Sequence, residues 1–354
     1  MSLTDALQVL FWTAVSIAIG TWIVFVYWRL RSNRIRRAEG EAPLRSSRAV
    51  IWRDAGAITP AEIGAGPCGP HGAPAEPFHF VEEHDTGSQP CVSIRDARGR
   101  EWRAKWGQEV HTEVFGTRLA WALGFFAEPT YFISAGVIND ARGLRRAAEC
   151  IDERGRFQDA RFELSESGVT KHFDAHGWAW HDNPFAGTHE LNGLKILMML
   201  LSNWDNKDVR DVARGSNTAI FEYPPDEARY LIIDWGAALG AWGNNVLKRG
   251  RWDPDAFASQ TPHFITGVDN GLVQWGYQGQ RTADLVEHIT LDDVRWFDQR
   301  AQAISDEHLR AALTASGATV DERDRFTAAL RDRLDQLHHV ATAAAVPELP
   351  RAPA

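Results

Sequence analysis

Lysine is scarce in this chain: five of its 38 basic residues are lysines and the rest are arginines. Acids outnumber bases 47 to 38, a formal net charge of -9. That balance excludes a nucleic-acid binder working through a broadly basic surface, because neutralising phosphates needs clustered cations. Cysteine is equally sparse. Cys68, Cys91 and Cys150 are odd in number and form no Cys-x-x-Cys pair, which excludes a disulfide framework and a thiolate zinc module. Neither Gly-x-Ser-x-Gly nor His-Glu-x-x-His occurs, so the hydrolase elbow and the zincin helix are missing. What is present is globular in character, with 44% hydrophobic and 24% charged residues over 354 positions. That length suits one large domain or two modest ones.

Residues 6–28 carry no charge and hold Gln8, Thr13, Ser16 and Thr21 as their only polar side chains. A helix of that length crosses a hydrocarbon core of roughly 30 Å. Trp22, Tyr27 and Trp28 gather at its C-terminal end, where interfacial aromatics are favoured. Arg29, Arg31, Arg34, Arg36 and Arg37 follow at once, whereas Asp5 is the one charge before the span. The positive-inside rule then predicts a single-pass anchor with the N-terminus outside and the remainder cytoplasmic. A cleaved signal peptide needs a basic n-region, a shorter apolar core and a small-residue cleavage site, and none is found.

Residues 29–77 read as a basic juxtamembrane segment and a Gly/Pro-rich linker. The glycines of 64–74 are interrupted by prolines, which lack the N–H donors that a phosphate-binding nest requires. An α+β domain is predicted over 78–345, with a small β-rich lobe at about 78–185, a larger helical lobe at about 186–345 and a loose tail at 346–354. Residues 91–95 and 100–106 alternate around the turn Asp96-Ala97-Arg98-Gly99, the pattern of a hairpin. On its second strand Trp102, Ala104 and Trp106 share one face, and Glu101, Arg103 and Lys105 share the other. A helix over 110–123 should stop at Gly124. Residues 131–133 read as a strand, and a helix apolar on most sides begins after Thr188. Two short strands, 218–221 and 230–233, flank Pro224-Pro225. Charged, helix-periodic sequence fills 282–340.

Four polar positions stand out. Lys105 sits mid-strand between tryptophans, and Glu113 lies on the helix that follows. The segment Ser202-Asn203-Trp204-Asp205-Asn206-Lys207-Asp208 ends a buried helix with acids, where the helix dipole disfavours them. An apolar strand ends in Asp234-Trp235-Gly236, a common way to present a metal ligand. His172, His176 and His181 are a weaker metal candidate, since Gly177 and Pro184 interrupt any helix that would align them.

The order of parts resembles the protein-kinase-like superfamily: strand Lys, helix Glu, Asp after a buried helix, Asn217 opening a strand, then Asp-aromatic-Gly. The nearest resemblance is to HipA-like kinases and to bacterial membrane-anchored proteins related to them. Glu113 with Leu119-Ala120 and Gly124, Gly87-Ser88-Gln89-Pro90 and Asn203-Trp204-Asp205 carry it, and Ile233-Asp234-Trp235-Gly236 is similar to the matching element of aminoglycoside phosphotransferases. The resemblance spans roughly residues 80–240. It implies a two-lobed kinase-like fold that binds ATP and Mg²⁺ and transfers a phosphoryl group to a hydroxyl of a protein, lipid or small molecule. Lys105 would contact the phosphates and pair with Glu113. Gly87 and Ser88 would cover the phosphates, Asp205 would act as the base, and Asn217 and Asp234 would hold Mg²⁺. Asp205 precedes Asn217 by twelve residues rather than the family's five. Either residues 207–213 are an insertion, or Asp208 or Asp211 shares the role. Glu109 is a second candidate for the lysine's partner, and Cys91 stands where HipA-like proteins usually carry a lysine. The alternatives are an inactive relative serving as a tethered nucleotide-binding or scaffold module, and a nucleotidyl transferase on the same fold.

Overall fold

A computed structural model describes residues 44–173, 177–205, 217–243 and 250–343. Strand β1 (Arg48–Val50) and helix α1 (Pro60–Ala65) come first. Then β2 (Phe78–Glu83), β3 (Cys91–Arg95), β4 (Glu101–Lys105), β5 (Thr130–Asn139) and β6 (Arg156–Ser165) close into a barrel of order β2-β3-β4-β6-β5. Alternation on β4 turns one face inward, and on β6 Asp159, at a φ of +45°, interrupts the alternation so that Phe157 and Phe162 both reach the core. Val92, Ile94, Trp102, Ala104, Tyr131, Phe157 and Phe162 fill the interior. The opposite face carries the polar set: Lys105 lies directly across from Cys91 on one side and Arg161 on the other.

Helix α2 (Val110–Ala122) lies between β4 and β5 in sequence and is buried almost all round, as a helix wedged between layers must be. It ends as expected at Gly124, whose φ of +88° suits glycine, and the Phe125 N–H returns to the Ala120 carbonyl at 2.9 Å. The remaining elements are β7 (Thr170–His172), α3 (His189–Leu200), β8 (Thr218–Tyr223), β9 (Glu227–Ile232), α4 (Pro254–Gln260), β10 (Ile265–Asp269), β11 (Leu272–Trp275), α5 (Thr282–Val286), α6 (Leu291–Ala301), α7 (Asp306–Ala315) and α8 (Val320–Thr342). A second sheet runs β1-β9-β8-β7, in which β1 is parallel to β9. Buried α3 starts at the cap Thr188 and ends against Arg333 of α8. The Arg333 guanidinium donates to Leu200 O and Ser202 Oγ, both at 2.8 Å, and to Phe257 O at 2.7 Å. A cation at the carbonyl end of α3 satisfies acceptors that the helix itself cannot.

Two expectations about layout change. The part of the predicted linker over 44–77 that the structure describes is folded. Its β1 extends the second sheet, and Ile51 and Ile63 are core residues. The physical cause is local: Thr59-Pro60-Ala61-Glu62 is a capping box with proline at the first turn, so α1 forms among the glycines. Arg118 Nη1 then donates to the Ile63 and Gly64 carbonyls at 2.8 Å. The boundary between the barrel and the helical part also moves, from about 185 to the end of β6 at Ser165, because β7 pairs with β8 rather than with the barrel. The predicted span 6–28, the arginines that follow it and the tail 346–354 lie outside the described residues. Among the described residues no helix is long and apolar enough to cross a membrane.

Two glycines set how closely α2 approaches the Asp234-Trp235-Gly236 turn. A Cβ on Gly116 would stand 2.5 Å from Trp235 Cβ, and one on Gly236 would stand 2.6 Å from Glu109 Cγ. Trp235 is fully buried and cannot yield. In an exposed helix Gly→Ala stabilises by roughly 0.5–1 kcal/mol. Here overpacking should reverse the sign. Gly116→Ala is expected to destabilise by about 1–3 kcal/mol, seen as a lower urea midpoint at unchanged slope.

Candidate functional site

Lys105 leaves the end of β4 on the barrel's polar face and donates from Nζ to Glu163 Oε2 at 2.8 Å. Glu113, on the first turn of α2, is held instead by Arg161, with 3.1 Å between Nη1 and Oε2. The anticipated Lys105–Glu113 pair is therefore replaced by two pairs, and the register explains why. Arg161 occupies the position opposite Lys105 on β6, and Glu163, opposite Arg103, is diagonal to the lysine and within its reach. Glu109, the second candidate, lies 3.4 Å from Arg251 and also does not take the lysine.

Glu109, Glu113 and Asp234 each bring one carboxylate oxygen within 4.8 Å of the others. The Asp234 side chain is oriented by its own turn, accepting the Gly236 N–H at 2.9 Å. Thr112 Oγ lies 3.1 Å from both the Glu109 and the Gly236 carbonyl, tying α2 to that turn. Burial pushes the Glu113 carboxyl well above the ordinary carboxylate range. Arg161 pulls it back, and Asp234 and Glu109 push it up again. Burial and then Asp234 also raise Glu109. Burial opposes the charge of Arg161, but Glu113, Glu163, Asp234 and Glu109 outweigh that and hold it still more firmly protonated. Glu163 is likewise disfavoured by burial, yet Lys105 and Arg161 bring it below the usual range.

Asp205, Asn217 and Asp234 are drawn together through the backbone. The Asn217 amide donates to the Asp205 carbonyl. The Ile233 N–H donates to Asn217 O at 3.0 Å, and Asn203 Nδ2 donates to Asp234 O at 2.9 Å. Tyr277 hydroxyl donates to Asn203 O at 2.6 Å, and burial followed by Asp205 holds that phenol well above its usual value. Asp208, Asp211 and the suggested insertion at 207–213 lie outside the described residues.

Gly87 and Ser88 are exposed in the turn between β2 and β3, with Gly87 at a φ of +95°. Arg146 donates to the Thr86 and Gly87 carbonyls at 2.8 Å. The loop reaches the lysine strand through Gln89, whose side chain occupies the space over Gly107. His172 and His181 take separate partners. His172 bonds Glu222 at 2.8 Å, His181 bonds Asp284 at 3.1 Å, and His176 lies outside the described residues.

Sequence reasoning missed Arg161, Glu163 and Arg251. The first two carried a signal: opposite charges two apart in Ala160-Arg161-Phe162-Glu163, where the intervening residues are apolar. That is one polar strand face of both signs, and all four residues are buried.

A divalent cation fits the carboxylate cluster. Glu113 Oε1 is buried without a hydrogen-bond partner, and three hard oxygen donors suit Mg²⁺ or Mn²⁺. Glu109, Glu113 and Asp234 would hold the ion.

No protein-family model matches the chain, and no curated protein matches it by sequence. Among solved structures, the chain is similar to the Golgi casein kinase at 12% identity and a TM-score of 0.35, covering 76% of this chain and 75% of that one. A second structure of the Golgi casein kinase, with Mn/ADP bound, gives 10% identity and a TM-score of 0.36, covering 78% and 75%.

The raised carboxyls have a measurable consequence. Folded Glu109 and Glu113 keep protons that the unfolded chain releases above its pKa of about 4.5. Their contribution to stability is therefore full below that pH and falls as pH rises through the folded values. Asp234→Asn removes one repelling charge and keeps an oxygen for the Gly236 N–H. In EDTA it is expected to match wild type near pH 4.5 and to be more stable by about 1 kcal/mol at pH 8, measured by urea denaturation across that range.

Proposed function

We propose that the chain is an ATP- and Mg²⁺-dependent phosphotransferase of the protein-kinase-like kind, acting on a hydroxyl of a protein, lipid or small molecule. One observation carries the reading. The clustered carboxylates Glu109, Glu113 and Asp234 lie where α2 meets the Asp-Trp-Gly turn, with Lys105 linked to them through Glu163 and Arg161. Arg161 and Arg251 pair with two of the three carboxylates, and Glu113 still buries one unpartnered oxygen, which is costly without a further cation.

A bound divalent ion would offset the charge of the nucleotide phosphates at these carboxylates. Lys105 would place its ammonium against the phosphates from the barrel side. Gly87 and Ser88 would cover them from the loop. Asp205 would accept the proton of the attacking hydroxyl as its oxygen bonds to phosphorus and the bond to the ADP oxygen breaks. Asn217 would steady Asp205 through its backbone and add an amide oxygen to the metal set. The uncharged stretch 6–28 would tether this domain to the cytoplasmic face of a membrane and bias it toward membrane-proximal substrates. The resemblance to bacterial proteins makes that membrane the bacterial inner membrane in this reading.

A second reading has its own support. Lys105 is engaged by Glu163, and Glu113 by Arg161, which suits a nucleotide-binding or scaffold module that transfers nothing. Thermal unfolding of the full chain in detergent, with and without ATP and Mg²⁺, distinguishes them when run beside ADP production. A ligand at a hundred times its Kd stabilises by about 2.7 kcal/mol. The phosphotransferase reading expects a stabilisation that needs Mg²⁺ and is lost in Asp234→Ala. It also expects Asp205→Asn to keep that stabilisation while ADP production falls by about a hundredfold or more. Stabilisation that needs Mg²⁺ without ADP production in wild type selects the nucleotide-binding module, and no stabilisation at millimolar ATP defeats the phosphotransferase reading and leaves the scaffold.

A further inference from the structure

The two ion pairs of the site share one strand. Arg161 and Glu163 are two apart on β6, so their side chains leave the same face. They are 6% and 5% exposed, which sets them apart from solvated surface charges. Glu163 takes the ammonium of Lys105 at 2.8 Å, and Arg161 takes Glu113 at 3.1 Å. Glu113 keeps its other oxygen, Oε1, buried and unpartnered, and a Glu113 oxygen lies within 4.8 Å of Glu109 and Asp234 oxygens.

We propose that Glu163 and Arg161 are positioning residues that split one ion pair into two tasks: Glu163 aims Lys105 at the nucleotide phosphates, and Arg161 aims Glu113 at the divalent cation. This assignment rests on the phosphotransferase reading. It makes the lysine's placement a property of the barrel, since β4 and β6 are adjacent strands. It leaves the second oxygen of Glu113 for the metal.

Titrations of the full chain in detergent with Mn²⁺, and with ADP in the presence of Mn²⁺, test it. Glu163→Gln is expected to weaken ADP on the order of tenfold while Mn²⁺ affinity stays within about twofold. Glu163→Asp, which keeps the charge, should recover most of the ADP affinity. Glu113→Gln and Arg161→Gln should weaken Mn²⁺ by about tenfold or more. Arg161→Lys replaces the glutamine variant if that one does not fold. Adding Glu163→Gln to Lys105→Met should cost no further ADP affinity, because the two act as a unit, whereas adding Glu113→Gln should. Identical profiles for the Glu163 and Glu113 variants, or unchanged ADP affinity in Glu163→Gln, overturn the assignment and leave the phosphotransferase reading standing. A wild-type chain that binds neither Mn²⁺ nor ADP overturns both.

Discussion

Carboxylates repel, and burial amplifies the repulsion. Glu109, Glu113 and Asp234 are nevertheless brought within 4.8 Å of one another. What holds them is a buried guanidinium, Arg161, and a helix that cannot back away. Gly116 and Gly236 let α2 press against Trp235 and let Glu109 lie over the turn. Thr112 Oγ, between the Glu109 and Gly236 carbonyls, joins the same two pieces. The barrel's polar face, the direction of α2 and the Asp-Trp-Gly turn all follow from meeting at this point.

The scaffold around that point is stiff for reasons seen elsewhere in the fold. Arg333 ends α3 by satisfying the Leu200 carbonyl and continues to Ser202 and Phe257. The segment after α3 then ties Asn203 and Asp205 to Asp234 and Asn217 through side-chain amides that donate to backbone carbonyls. A site built this way holds its charges by geometry, and the cost of its repulsion is spread over a large core.

Much of the layout was legible beforehand because it rests on local periodicity. The hairpin of β3 and β4, the stop of α2 at Gly124 and the start of α3 at Thr188 come from alternation, a positive-φ glycine and a side-chain cap. The acids at 205 and 234 were visible because each sits where its helix or strand would not favour it. The folding of 44–77 was hidden by its glycines and prolines, although Thr59-Pro60-Ala61-Glu62 encodes a helix start. The strand β6 was passed over, and with it the two residues that rearrange the site's ion pairs.

By itself, then, the sequence determined which residue types carry charge into apolar surroundings, and in what order along the chain. Those are properties of neighbours a few positions apart. Only the tertiary structure decided who pairs with whom. Lys105 and Glu113 are eight residues apart and close in the chain, yet each finds its partner on β6, some fifty residues away. The reason is barrel closure: it sets β6 beside β4, puts Arg161 opposite Lys105, and leaves the diagonal position to Glu163. Pairing across strands depends on register, and register is fixed by the packing of the whole barrel rather than by any short motif.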